Sequence, residues 1–230
     1  NLIGADFKLH PTLKIVAEFD KKIDASNTRL PLYAIDEFMP NYRIGGSVFS
    51  LPTLGMFISE DRSNREHFYK KSKNLVMYYV MCRGTGKGSV TNPFFSQMPY
   101  IKYEISDKDF KFLNEGLEKL STALFDYGAK SVQPSISGLK TWENKNQIKD
   151  FLKKPNLKSY SLMSIHLFGS MKMGDNPKLC AVNSKGKVNG FDNMYVADAS
   201  LIPESLGTNP QATIMSLSLQ IAEQFVNEYI

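Results

Sequence analysis

The sequence predicts an α+β fold: an antiparallel sheet with helices packed on it. Two observations carry this. Apolar, β-branched runs of strand length recur through the first hundred residues and are separated by short turns rather than helices, which favours antiparallel pairing over βαβ crossovers. After residue 106 the apolar period changes from the alternation of strands to the three-and-four spacing of helices. The chain has 230 residues, 42% of them hydrophobic and 22% charged, enough for one large domain or two modest ones with a real core.

"TLKIVAEF" (12–19) is β-branched and aromatic with partial alternation and predicts a strand. "PLYAIDEF" (31–38) and "SVFSLP" (47–52) are weaker strand candidates, with "PNYRIGG" between them as a turn-rich connection. "NLVMYYVMCR" (74–83) is a continuous apolar run and predicts a buried strand; a short strand near Val90 and an alternating one at "PYIKYEIS" (99–106) follow the "GTGKGSVTN" turn. The next element is helical. Ser106 can cap it, with Asp109 at the third helical position as a capping box. Phe110, Leu113, Leu117, Leu120 and Leu124 make one apolar stripe, and Gly128 stops the helix. "NQIKDFLKK" (146–154) predicts a short amphipathic helix, and Met194 to Ala197 a short buried strand. In "GTNPQATIMSLSLQIAEQFV" (207–226), Asn209 predicts an N-cap and Pro210 the first helical residue, with Ile214, Leu217, Ile221 and Phe225 as the buried face.

Composition excludes several classes. The net charge of +5 comes from scattered lysines, without the dense basic block or interleaved aromatics of a nucleic-acid surface, so no nucleic-acid partner is expected. Two cysteines, Cys82 and Cys180, lack C-x-x-C spacing and are expected as buried thiols without a bridge. No apolar run reaches the ~18 residues of a membrane span. The first residue is Asn1 and opens directly into a folded-looking pattern, so we expect the natural start, with any targeting segment, to lie upstream.

Among motifs, "GTGKGS" (84–89) is not a phosphate loop: Lys87 is followed by Gly88, and position 81 is Met. It also fails G-x-G-x-x-G, because position 89 is Ser. A glycine-rich hairpin is the expectation. The three histidines, His10, His67 and His166, form no metal-ligand spacing, and no metal is expected. His67 sits in the charged run "EDRSNREHFYKK" and His10 precedes a proline at a strand start; both are expected to be structural. His166, in "SIHLFGSMKMG", is followed by Gly169, Ser170 and Gly174, which allow close backbone approach. The first turn of the last helix presents unpaired N–H groups and a positive dipole end, suited to an anion.

The order and spacing of "SIHLFGSMKMG" and "GFDNMYVADASLIPESLGTNPQATIMSLSLQIAEQFV" resemble the C-terminal signature of the glucose–methanol–choline (GMC) oxidoreductases, with Ser170 where Thr is usual. "GADFKLHP" (4–11) resembles the family's G-x-N-L-x-x-H-P, with Asp6-Phe7 replacing Asn-Leu. The resemblance implies an FAD cofactor, a small-molecule alcohol substrate, and a chain that is the C-terminal portion of the enzyme, because no dinucleotide fingerprint is present and the segment carrying it would be a partner in the flavin domain. It implies a substrate domain at 1–163, with a junction at 1–11, and a βα segment of the α/β FAD-binding domain at 164–230. His166 matches the family's active-site histidine, which accepts or orients the hydroxyl proton as hydride passes to flavin N5. Asn209 matches the second active-site position, and an amide there donates a hydrogen bond without taking a proton. The two are expected at one face of the flavin. Asp198, Ala199, Asn209, Pro210 and Gln211 match FAD-contacting positions, the helix start facing the ring. "YAIDEFMPNYRIGGSVFSLP" looks closer to the branch acting on aliphatic or sterol-like alcohols than to the sugar oxidases. A relative that kept the fold without the chemistry is the alternative, and it would have no need of His166 and Asn209 together.

Overall fold

The structure, a computed structural model, describes residues 2–27, 31, 33–58 and 64–229. Along the chain run β1 (Lys8–Leu9), β2 (Thr12–Glu18), β3 (Ala34–Ile35), β4 (Tyr42–Gly46), α1 (Leu51–Ile58), α2 (Arg65–Lys70), β5 (Leu75–Cys82), β6 (Lys87–Thr91), β7 (Tyr100–Glu104), α3 (Asp107–Asp126), β8 (Ser131–Pro134), α4 (Lys145–Leu152), β9 (Leu167–Phe168) and α5 (Gln211–Tyr229). These form two compact units. One comprises Pro11–Cys82 and Phe110–Met163, the other Asn1–His10, Arg83–Asp109 and Ser164–Ile230.

The first unit is built on a five-stranded sheet in the order β3-β4-β5-β2-β8, antiparallel throughout. Successive side chains of a strand point to opposite faces, and here both faces are covered. Leu13, Ile15 and Ala17 of β2, with Val80 and Cys82 of β5, pack against Leu113, Leu117, Leu120 and Leu124 of α3 and Ile148 of α4. Val16, Leu75 and Met77 pack on the other side against Leu54 and Phe57 of α1 and Phe68 of α2. Two-sided burial explains why β5 reads as an unbroken apolar run and β2 alternates only in part.

Local signals set the ends of the helices. Ser106 Oγ accepts from the Asp109 N–H (3.1 Å), as expected of a cap. At the other end of α3, Gly128 has φ +92°; its N–H donates to the Phe125 carbonyl and that of Ala129 to Leu124, the paired bonds of a glycine C-cap. Asn144 caps α4 with a reciprocal box, its side chain accepting from Asn146 and Gln147 N–H while Gln147 Oε1 accepts from the Asn144 N–H. Cys82 and Cys180 are both buried and no disulfide joins them.

Three expectations are corrected. The strand falls at Tyr42–Gly46, inside the stretch expected to be a turn, and residues 47–52 lead instead into α1. The glycines misled: a Cβ at Gly45 would lie 2.5 Å from the Tyr79 hydroxyl, so Gly45 marks close cross-strand packing and not a turn. Of the candidate at 31–38, Ala34–Ile35 is strand and Leu32 lies outside the described residues, as do 60–63 of the charged run. Met194 to Ala197 is not a strand. Its pairing is a single bridge from Tyr195 to Lys187, Met194 is exposed, and no strand among the described residues lies beside it to complete a ladder.

The second unit holds two small antiparallel ladders, β1 with β9 and β6 with β7, and the terminal helix α5. Its core gathers Ala181, Val182, Val188, Leu201 and Ile221, with Leu217 against it. Phe225, expected to be buried on the same helix face, is 41% exposed and meets only the edge of Tyr195 among the ring contacts described.

The glycine-rich turn before β6 is organised by a carboxylate. Asp109 is buried, and its oxygens accept from the Thr85 N–H (2.8 Å), the Gly86 N–H (3.1 Å) and the Thr85 hydroxyl (3.0 Å). Asp109 therefore anchors the turn with its carboxylate while its N–H receives the Ser106 cap. The Thr85 and Gly86 N–H groups, which a phosphate loop would offer to a ligand, are already occupied.

One substitution tests the packing of α3 on the sheet. A Cβ at Gly116 would lie 2.4 Å from Val80 Cγ1, which is fully buried. Gly→Ala in a helix interior gains about 1 kcal/mol in propensity, but overpacking costs about 1–3 kcal/mol. Denaturant unfolding of Gly116→Ala is expected to show a net loss of stability; a gain would mean that the Val80 side chain yields freely.

Candidate active site

The site begins with the β1–β9 ladder, which pairs Lys8 with Phe168 and Leu9 with Leu167. One residue beyond, the His10 N–H donates to the His166 carbonyl (3.3 Å). Two segments 156 positions apart thus place two imidazoles side by side, with Nδ1 to Nδ1 at 3.0 Å and the rings edge to face at 5.1 Å. The close approach depends on Gly169. It has φ +75°, and a Cβ there would lie 2.2 Å from the Asp6 carbonyl oxygen.

His10 has no solvent exposure and packs on Phe168, ring centroids 5.0 Å apart. Its Nε2 accepts from the Gly207 N–H at 2.9 Å. The loop that carries Gly207 is itself anchored: Arg83 Nε donates to the Ser205 carbonyl (3.1 Å), and the Ser205 hydroxyl to the Gly84 carbonyl (2.8 Å). Burial first, then the neighbouring His166 and Arg83, lower the His10 pKa to about 3. His166 is half-buried, and Ser164 Oγ donates to its carbonyl.

The remaining expected residues fall on two nearby segments. Asp198 is exposed, and its carboxylate accepts from the Ser200 N–H, capping a 3-10 turn at Ala199–Leu201. That turn is tied to the chain after His166 by Met171 N–H to Ser200 O and Met173 N–H to Leu201 O, both 3.0 Å. Asn209 is exposed, two residues past Gly207. The helix starts one residue later than expected. Its first i to i−4 bond runs from the Ile214 N–H to the Pro210 carbonyl, so buried Pro210 takes the cap position and Gln211 opens α5. Pro210 has no N–H and Asn209 is one step too early to cap N2. Gln211, Ala212 and Thr213, which carry the N–H groups of the first turn, are all exposed.

His10, expected to be structural, is fully buried and bonded at both ring nitrogens, one of them to His166. Its signal was the match of "GADFKLHP" to a family segment; the pairing with His166 has no local trace. His67, also expected to be structural, lies in the sheet unit with Nε2 2.7 Å from the buried Glu18 carboxylate, beside a cavity of about 700 Å³ that contains none of the expected site residues. Also on the sheet, burial lowers the Lys14 pKa to about 8, and its Nζ donates to Ser47 Oγ (2.6 Å). No group of three or more potential metal ligands occurs among the described residues, and no described helix is long and apolar enough to cross a membrane.

The family model described as GMC oxidoreductase matches residues 83–218, more than half of the chain, including His166 and the loop before α5. The chain belongs to the GMC oxidoreductases. It is 42% identical over 222 residues to an uncharacterized GMC-type oxidoreductase of Sinorhizobium fredii, covering 96% of this chain and 44% of that protein. It is 26% identical over 218 residues to a long-chain-alcohol oxidase of Arabidopsis thaliana, covering 87% of this chain and 29% of the oxidase. Among solved structures, a pyridoxine 4-oxidase from Mesorbium loti superposes with a TM-score of 0.65 at 15% identity, over 99% of this chain and 44% of that one, which shows a shared fold. The chain thus spans less than half the length of each of these proteins. FAD binding is a defining feature of the family. The donor set described above fits such a group: the exposed N-terminal turn of a nineteen-residue helix, an exposed amide at Asn209 and a half-buried histidine suit a polar, redox-active ring that gains negative charge.

Burial of neutral His10 also sets a pH dependence. Its folded pKa lies below the ordinary value of 6.5, so the unfolded chain binds the extra proton. Its contribution to stability is complete above pH 6.5 and is lost as pH falls from there towards 3, with a limiting slope of about 1.4 kcal/mol per pH unit. Chemical denaturation between pH 7 and 5 should show a shallower loss for His10→Asn than for the parent protein; equal slopes would mean that His10 is not buried as a neutral ring.

Proposed function

We propose that this chain supplies the substrate-facing half of an FAD-dependent enzyme that oxidises an alcohol. The observation that carries the proposal is the contact of His166 with His10, and of His10 with the loop leading into α5. It joins a titratable group to the start of a helix whose first-turn residues are exposed. In this reading residues 1–163 form the substrate domain and 164–230 the C-terminal segment of the FAD-binding domain, with Asp198, Ala199, Asn209, Pro210 and Gln211 holding the cofactor.

Bound FAD would take the hydride from the alcohol carbon at flavin N5. The chain's own residues manage the charge and the proton. The N–H groups at the start of α5 would stabilise the negative charge that the bound ring gains on reduction. His166 accepts or orients the hydroxyl proton, as the histidine of the pair that is not fully buried. The Asn209 amide donates to the substrate oxygen and cannot compete for its proton. Aliphatic alcohols are the substrate class we favour, supported by the family resemblance of residues 33–52 and by the likeness to a long-chain-alcohol oxidase.

The test is anaerobic flavin bleaching in the full-length, FAD-loaded protein. A primary aliphatic alcohol should bleach the flavin, and His166→Ala should lower kcat by roughly a hundredfold or more while KM moves much less, because the lost interaction belongs to the transition state. Unchanged flavin reduction in that variant would remove His166 from the chemistry. Bleaching by sugars alone would move the substrate class.

A further inference from the structure

We propose that the tip of the β6–β7 hairpin is a docking wedge that seats in the interfacial layer of an anionic phospholipid bilayer. The inference does not rest on the alcohol-oxidising reading, since it needs neither the flavin nor the histidines.

Residues 92–99 join β6 to β7, and none of them is buried. Phe94 is fully exposed and Phe95 is 90% exposed; Met98, Tyr100 and Ile101 are each more than half exposed. Single apolar side chains on a surface are ordinary, but these five lie within eight residues at one turn, a patch that marks an interaction site. The base of the hairpin is held. Phe7 bridges to Gly88, the Val90 N–H donates to the Gly4 carbonyl (2.8 Å), and Phe7 meets the Tyr103 ring edge-on, centroids 6.2 Å apart. The exposed tip is therefore mounted on a fixed ladder.

Two observations favour lipid as the occupant. The first is how the tip treats its own backbone. A segment that enters an apolar phase must keep its polar groups paired internally. Pro93 and Pro99 have no N–H. The Ser96 N–H donates to the Pro93 carbonyl (3.1 Å), the Met98 N–H to Ser96 Oγ (3.0 Å), and the Ser96 hydroxyl to the Met98 carbonyl (3.1 Å). The second is charge. From Gly84 to Tyr103 the chain carries two lysines, both exposed, and no acidic residue. Lys102 shares a ladder face with Tyr100 and lies two residues further from the tip, about 7 Å at the rise of a strand. That offset matches the ~5–10 Å to which interfacial elements sink. With the two phenylalanines among the acyl chains, the Tyr100 ring sits at the headgroup boundary and Lys102 reaches the lipid phosphates, the order in which aromatic and basic residues flank a membrane interface. Glu104, the first acidic residue, lies beyond Lys102 and opposite Lys87. A protein partner would need a pocket shaped to two adjacent phenyl rings, whereas a fluid bilayer accepts a convex wedge as it stands.

The experiment is co-sedimentation of the full-length, FAD-loaded protein with vesicles of equal parts phosphatidylcholine and phosphatidylserine. The protein should pellet with them, less so with phosphatidylcholine alone, and less as salt is added. The double substitution Phe94→Ser, Phe95→Ser should weaken binding roughly tenfold or more, and Lys102→Gln about fivefold on the anionic vesicles alone. Phe94→Trp locates the contact, read against a parent whose one tryptophan, Trp142, is buried. Its added emission should shift to the blue, and be quenched by brominated acyl chains, only when vesicles are present. Failure of the parent protein to pellet, or parent-level pelleting of the double variant, overturns the proposal. Emission from Phe94→Trp that is already blue-shifted in buffer overturns it too, by showing that another part of the protein or a second copy covers the tip. The parent and Phe94→Trp measurements decide the matter even where the double variant loses its flavin absorbance and so fails to fold.

Discussion

A fully buried imidazole has two polar nitrogens, and both must find partners inside the protein. For His10 these come from 156 and 197 positions away, His166 Nδ1 and the Gly207 N–H. That requirement ties together the β1 end, the residue just before β9 and the loop before α5, which is to say every segment that carries an expected site residue except the 3-10 turn at Asp198. The turn is joined by its own backbone bonds to Met171 and Met173. Misplacing any of the three segments would leave a desolvated nitrogen or N–H without a partner, at a cost of about 1–3 kcal/mol. The site is therefore specified by polar satisfaction more than by apolar packing, and α5 illustrates the difference: among its described residues Ile221 alone is buried, yet the loop before it is held at Ser205 and Gly207.

The Asp109 carboxylate plays the corresponding part for the glycine-rich turn. Three donors converge on it from Thr85 and Gly86, and Ser106 caps the helix that begins beside it. Gly84, the residue before this turn, accepts from Ser205. The turn, the start of α3 and the loop before α5 are consequently one connected set of hydrogen bonds within the unit that holds the candidate site. A sequence motif that invites comparison with phosphate binding is here a structural bracket for the histidine pair.

How much of this was legible in the sequence follows from the range of each interaction. β5 and α3 were legible because period and length are local properties: an eight-residue apolar strand and a stripe from Leu113 to Leu124 need no partner to be recognised. Ser106 and Gly128 were legible for the same reason. β4 was not, since Gly45 and Gly46 read as turn residues until Tyr79 is seen against Gly45. Met194–Ala197 carries strand composition, but its pairing stops at the single bridge from Tyr195 to Lys187. At the site, residues 164–226 were recognisable by family spacing, and His166 stood out for the glycines behind it. His10 did not, because "LHPT" contains nothing that distinguishes a packed ring from a ring bonded at both nitrogens. The helix start was misjudged by one residue, a shift of the size expected where Asn-Pro offers two adjacent cap candidates.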